Sequence, residues 1–349
     1  MADEIQLSNR GPIGVPVGSP RIEVDGAQLA VAREGDGPPV VCLHAIGHGG
    51  GDFAAFAGSV RNRFQVIRID WPGQGRSGSD RKPLSPSRYS ELLGGVLVQL
   101  EVDNPIIIGN SIGGAAALIY ASQHPVRGLV LCDSGGLVPV GRAARIFCGA
   151  FARLFAAGER RAWWFDKAFH FYYRKVVLPT PAASEQRKRI IKAGYEIAPI
   201  LREAWIGFGN PDADIRHIAT SLDIPVWFAW ARKDRVIPLS ACLPCIRQMK
   251  HASLTAFEAG HAAFLEQPDA FVREFQKFAD SLSPLEMNRL ARRAQTPQGD
   301  DHKRSDSAHR RRETVDNDRG QVTRLRRPAT PSERRRHDTP AFCQRRTRS

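Results

Sequence analysis

Long apolar runs are missing from this chain of 349 residues. No stretch approaches 18 consecutive apolar residues, which argues against a transmembrane helix. Residues Met1 to Pro20 also lack the apolar core of a secretory leader, so export by that route is not expected. Cysteine is scarce: Cys42, Cys132, Cys148, Cys242, Cys245 and Cys343 are too few and too scattered for a disulfide scaffold. Cys242-Leu243-Pro244-Cys245 has the spacing of half a zinc site, yet no second pair or paired histidine follows it. These are read as reduced thiols near a helix start, and the cytoplasm is the expected compartment.

Apolar residues also run short beyond Ser283, where Arg310-Arg311-Arg312 and Arg334-Arg335-Arg336 stand instead. Of 50 Lys/Arg and 36 Asp/Glu, 18 and 9 lie between Pro284 and Ser349. That segment therefore carries +9 of the net +14, and the preceding residues only +5. Whole-chain basicity is thus no evidence for a nucleic-acid partner, and only the tail keeps that reading open. Such a composition buries too little apolar surface to offset ordering entropy, so residues 284–349 are expected to be a disordered Arg-rich tail.

Hydrophobic residues make up 42% of the chain and supply a sizeable core. Residues 1–20 read as an N-terminal extension. Arg21 to Val24 and Gln28 to Arg33 read as a hairpin turned at Asp25-Gly26. Further strands are expected at Pro39–Leu43, Phe64–Ile69, Pro105–Ile108, Gly128–Cys132, Val226–Ala231 and Ser253–Phe257. Helical patterns separate them at Gly51–Arg61, Tyr89–Leu100, Ile112–Gln123 and Leu239–Met249, with a closing helix at Ala262–Leu282. This alternation predicts an α/β fold: a mostly parallel central sheet covered by helices on both faces. The core would comprise residues 21–137 and 219–283. Residues 138–218 lack a convincing strand and read as an inserted helical cap. Its aromatics, from Phe147 and Phe151 to Tyr172 and Tyr173, mostly pack its interior, while some face a pocket.

The sharpest chemical signal is Gly109-Asn110-Ser111-Ile112-Gly113, placed after an apolar strand and opening a helix. It matches a Gly-x-Ser-x-Gly nucleophile elbow in its strand–turn–helix setting. So sharp a turn strains the serine backbone and exposes Oγ above the sheet. It also brings positions 109 and 113 together, where only glycine fits. The helix N-terminus behind Ser111 offers free N–H groups to an oxyanion.

On these residues the chain resembles the α/β-hydrolase family from about Arg21 to Leu282. Leu43-His44-Ala45-Ile46-Gly47-His48 is similar to the family's oxyanion loop, with Ala45 where glycine is usual. Asp70-Trp71-Pro72-Gly73-Gln74-Gly75-Arg76-Ser77 resembles the loop after the next strand. The resemblance implies backbone oxyanion donors at Ile46 and Ile112. It implies a triad in the order Ser111, Asp234, His261, with the acid after the Val226 strand and the histidine after the Ser253 strand. Asp133, at the end of the Gly128 strand, is the alternative acid, or a cap of the turn before Gly135-Gly136. His44 and His48 are candidates to line the pocket.

Such a set implies a serine hydrolase that forms an acyl-enzyme and needs neither cofactor nor metal. Epoxide hydrolases and haloalkane dehalogenases of this fold place Asp at the elbow, and Ser111 speaks against both. The substrate expected is a carboxylic ester of small or medium apolar character. Asn110 and Ile112-Gly113-Gly114 also resemble the elbow of hydrolases that cleave carbon–carbon bonds in aromatic ring-fission products. Those relatives carry Trp after the histidine, where Ala262 stands here. A cofactor-free perhydrolase and a catalytically silent ligand-binding protein remain as further readings.

Overall fold

The computed structural model describes residues 13–295, with side chains through residue 282. Among these, eight strands form one sheet: β1 (Arg21–Val24), β2 (Ala27–Glu34), β3 (Pro39–Leu43), β4 (Gln65–Ile69), β5 (Ile106–Asn110), β6 (Gly128–Cys132), β7 (Val226–Ala231) and β8 (Ala252–Phe257). Their order across the sheet is β1-β2-β4-β3-β5-β6-β7-β8. β1 and β2 form the expected hairpin, β2 lies antiparallel to β4, and every pair from β4 to β8 is parallel. The continuous apolar runs Val40 to Leu43 and Ile106 to Ile108 are fully buried, as strands covered on both faces require.

The helices are α1 (Ala54–Val60), α2 (Pro86–Gln99), α3 (Ile112–Gln123), α4 (Arg142–Glu159), α5 (Phe165–Tyr172), α6 (Ser184–Lys192), α7 (Gly194–Phe208), α8 (Arg216–Ser221), α9 (Leu239–Ile246), α10 (Ala263–Glu266) and α11 (Pro268–Gln295). The first expected helix begins as a 3-10 turn, Gly50–Phe53. α2 starts at Ser85, whose side chain accepts the Arg88 N–H.

The sequence order explains where a site forms. From β3 the chain passes to β4 on one side, and β5 then lies on the other side of β3. The loops leaving β3 and β5 therefore diverge, opening a crevice at the carboxyl ends of these strands. Leu43 lies beside Gly109 in the β3–β5 register, which sets the loop at residues 44–48 next to Ser111.

Two expected boundaries move. Residues 13–20 are not a free extension: Ile13 and Val15 are buried, and Ile13 C=O accepts the Gly51 N–H. The Val15 N–H is held by the Asp70 carboxylate, a contact 55 residues away that local pattern does not reveal. The closing helix also passes Leu282 and runs to Gln295. Its continuation holds Leu285, Glu286, Met287, Leu290 and Ala291, all good helix formers, so low apolar content did not prevent helix there. The rest of the segment expected to be a disordered tail, from residue 296, lies outside the described residues, as do residues 1–12.

Between β6 and β7 the chain is helical among the described residues, from α4 to α8. Phe155, Phe165, Phe169, Tyr172 and Tyr173 are buried within this insertion. Phe151 stacks on Trp205 at 4.4 Å between centroids, joining α4 to α7. Trp163 and Phe171 are exposed instead.

Candidate active site

Ser111 occupies the turn between β5 and α3 at φ 55°, ψ −116°. A non-glycine residue there costs about 1–3 kcal/mol, tolerated only when the surroundings fix it. Here the Ser111 N–H donates to Cys132 C=O, and Ser111 C=O accepts from Gly114, Ala115 and Gly135. A Cβ at Gly109 would meet Gly113 O at 2.5 Å, and one at Gly113 would meet Leu43 O at 2.5 Å. Both glycines are thus required by close backbone approach.

The loop after β3 is braced by His44. Its Nε2 accepts the Trp71 N–H at 2.9 Å and its Nδ1 donates to Ala45 C=O at 2.7 Å. Burial holds its pKa down to about 4, so the ring is neutral and both nitrogens are committed. Ala45 lies outside the left-handed region, so the loop accepts it in place of glycine; Gly47 takes the positive φ of 76°. The N–H groups of Ile46 and Ile112 donate to no group among the described residues. They are available to an added oxygen, the property an oxyanion donor needs.

His261 follows β8 and Asp234 follows β7. His261 Nδ1 and Asp234 Oδ2 are 2.9 Å apart, and both side chains are buried. Asp234 Oδ1 accepts the N–H groups of Val236 and Ile237, which fixes the carboxylate. With its proton on Nδ1 facing Asp234, the ring leaves Nε2 free as a base. Burial works against the imidazolium. The Asp234 carboxylate outweighs it through charge and hydrogen bond, and His261 is raised to about 9.

Asp133 lies against this pair rather than taking Asp234's place. Its Oδ1 accepts the Ala231 N–H at 2.8 Å. Polar atoms of Asp133, Asp234 and His261 all lie within 4.8 Å of one another.

Two further residues hold the histidine, and sequence reading gave neither this role. Asn110 Nδ2 donates to both Cys132 C=O and His261 C=O, each at 3.0 Å. It ties the residue before Ser111 to a backbone 151 positions away. Glu266 Oε1 accepts the N–H groups of Gly260, His261 and Ala262 at 2.7, 3.1 and 3.3 Å. A buried acid five residues after a histidine that follows a strand was the available signal.

A cavity of about 490 Å³ reaches Ser111 and Ile112. Ala115, Val138, Phe147, Trp205, Phe208 and Ile237 are among its apolar lining residues. Arg235 is the one charged residue in that lining. Of the ten aromatics singled out between 147 and 173, Phe147 alone borders the cavity. Ile46 and His261 are not in its lining, and neither are His44 and His48. His48 instead pairs with buried Asp52 at 2.5 Å, which also bonds Gln186 of α6.

Residues 40–274 match the model of the alpha/beta hydrolase family, and the chain belongs to that family. Among its relatives, a pimeloyl-[acyl-carrier protein] methyl ester esterase of Chromobacterium violaceum is 27% identical, over 70% of this chain and 95% of that protein. A 2-hydroxymuconate semialdehyde hydrolase of Pseudomonas putida is 26% identical, over 74% of this chain and 93% of its own length. The structure of an esterase from Exiguobacterium antarcticum superposes with a TM-score of 0.64 at 21% identity, covering 75% of this chain and 99% of that one. That likeness concerns the fold. No helix among the described residues is long and apolar enough to cross a membrane.

Proposed function

We propose that the protein is a serine hydrolase acting on carboxylic esters with a small or medium apolar acyl or alcohol group. One observation carries this reading: a strained Ser111 borders a largely apolar cavity, while the nearby His261 is buried and bonded to a fixed Asp234 carboxylate. Neutral His261 takes the Ser111 hydroxyl proton at Nε2 as Oγ attacks the ester carbonyl. Asp234 keeps the proton on Nδ1 and stabilises the imidazolium that forms. The tetrahedral oxyanion is received by the N–H groups of Ile46 and Ile112, removal of one such donor costing about 10²–10³ in kcat elsewhere. His261 then protonates the leaving alkoxide, and a water deprotonated by the same imidazole hydrolyses the acyl-enzyme. The relative that acts on a methyl ester supports this choice of bond.

A second reading is kept by Arg235, whose place in an otherwise uncharged lining suits a substrate with an anionic end. A carboxylate-bearing vinylogous diketone, cleaved at a carbon–carbon bond, is such a substrate, and one relative's name points the same way. The test is a panel of nitrophenyl esters from acetate to laurate beside one vinylogous diketone acid, with Ser111→Ala as control. Ester turnover lost in Ser111→Ala is the expected result. Diketone cleavage with negligible ester turnover would move the reading to carbon–carbon hydrolysis. Failure of a fluorophosphonate to label Ser111 would overturn the serine mechanism.

A further inference from the structure

Asp133 is a fully buried acid with an incomplete set of partners. Its Oδ1 accepts one N–H, from Ala231, while Oδ2 is buried with no donor in reach. Asp234, by contrast, accepts two backbone N–H groups and the His261 Nδ1–H. Oxygens of the two carboxyl groups lie within 4.8 Å of each other. Two buried carboxylates at that range repel, which favours a proton on one of the two acids. The distribution of donors decides which: three hydrogen bonds stabilise a charge on Asp234, and one stabilises a charge on Asp133.

We propose that Asp133 is a neutral carboxylic acid whose Oδ2–H donates to the Asp234 carboxylate, making it a positioning residue for the His261–Asp234 pair. This rests on the serine-hydrolase reading above for its consequence, though not for its geometry. Burial, and then the Asp234 charge, push the Asp133 carboxyl well above its ordinary range, in agreement. Asp133 sits at a positive φ of 46°, a conformation that Asn accepts as readily as Asp, so an Asn substitution there adds no backbone strain. The donated bond gives the orphaned Asp133 Oδ2 a partner and spreads the Asp234 charge. It thereby moderates how strongly Asp234 raises the imidazole, which must be neutral to act as a base.

The other ionisable groups facing this cluster give no rival proton donor of the right kind. Glu266 lies beyond the imidazole and is spent on three backbone N–H groups. Burial pushes the thiols of Cys132 and Cys242 and the Tyr172 phenol upward, so all three stay neutral.

Asp133→Asn is the discriminating change. Its amide supplies an N–H to Asp234 and a C=O to the Ala231 N–H, reproducing both bonds of a protonated Asp133. We would follow the His261 titration by NMR of histidine-labelled full-length protein, beside the pH dependence of fluorophosphonate labelling at Ser111. Asp133→Asn should leave the His261 midpoint within about 0.3 units of wild type. Asp133→Ala, which removes the donor, should raise it by about half a unit to one unit, and slow labelling on the acid limb by about three- to tenfold. Asn should thus rescue what Ala loses. A midpoint falling by one unit or more in Asp133→Asn would show that a negative charge was removed, and would overturn the proposal. So would Asp133→Asn losing labelling while Asp234→Asn keeps it, since Asp133 would then be the ionised acid of the triad. If wild type fails to label, the serine reading falls, and the NMR titration still decides the state of Asp133.

Discussion

Replacing Asn110 by alanine should damage stability and chemistry together, because one amide joins both sides of the site. Its Nδ2 spans Cys132 C=O and His261 C=O at 3.0 Å each, in a fully buried position. Cys132 C=O keeps a second donor, the Ser111 N–H, whereas no other bond to His261 C=O is found among the described residues. Two net hydrogen bonds are worth about 1 kcal/mol each, and one carbonyl left buried without a donor adds about 1–2 kcal/mol. The expected loss is therefore about 3–4 kcal/mol, or roughly 6–10 °C in Tm for a body of this size. The activity cost comes from the freed loop: a displacement of about 1 Å at His261 reduces turnover by about 10²-fold. Asn110→Asp should be worse and pH-dependent, because a carboxylate would face two carbonyl oxygens unless protonated. Holding a proton in the folded state raises that pKa, so the variant should be least damaged near pH 5 and destabilised further as pH rises. Thermal melts and ester hydrolysis from pH 5 to 9 read both effects. An Asn110→Ala protein with wild-type Tm and kcat would refute this account of how the histidine is held.

Ser111→Ala should lower kcat by about 10³-fold or more while Tm stays level or rises through relief of nothing more than a side-chain hydroxyl; active, folded Ser111→Ala protein would sink the nucleophile assignment. Asp234→Asn should cost about 10²–10⁴ in kcat, read in the same assay, because the amide no longer stabilises the imidazolium. Wild-type kcat/KM should rise with pH along an acid limb whose midpoint lies between the ordinary histidine value of 6.5 and about 9, since only neutral His261 accepts the serine proton. Stability should move the opposite way: a pKa raised on folding contributes fully below about 6.5 and is lost as pH rises through about 9, visible as a falling Tm. Each methylene added to the substrate should gain about 0.8 kcal/mol, close to fourfold in kcat/KM, until the cavity fills, and Ala144→Phe should move that break to shorter chains. A flat chain-length series would contradict binding in this cavity.

The parts of the structure that were legible in the sequence are those fixed within a few residues. Ile106 to Ile108 can hardly be anything but a covered strand, and Gly109 and Gly113 announce their close approach because no Cβ fits at either. The placement of His261 after β8 and of Asp234 after β7 was legible through chain order, since each follows a strand whose neighbours in the sheet are set by alternation. What stayed hidden depends on contacts across the chain. The tie from Asn110 to His261 joins residues that no local pattern relates. Asp70 reaches back to Val15, turning an apparent extension into part of the body. The aromatics of the insertion were visible as a group, but their sorting was not. Helical spacing places Phe155 and Phe169 inward, yet only packing of α4 against α7 leaves Phe147 at the cavity.

The polar groups around Ser111 are nearly all engaged with one another. His44 spends both nitrogens on the backbone, Asp234 spends both oxygens on the histidine and its own loop, and Glu266 holds three N–H groups. Little remains to read the direction of a substrate's polar groups, and the cavity offers mostly carbon. Discrimination in such a site comes from size and shape, at about 1–3 kcal/mol per methylene in a fitted pocket, rather than from hydrogen bonding. On the proposed mechanism, the buried machinery would activate Ser111 and receive an oxyanion whatever group leaves. The cavity lining comes in part from the insertion and from the loop after β7, where Phe147, Trp205 and Arg235 stand. On the proposed mechanism, changes at those three positions should alter substrate preference and leave the His261–Asp234 pair intact.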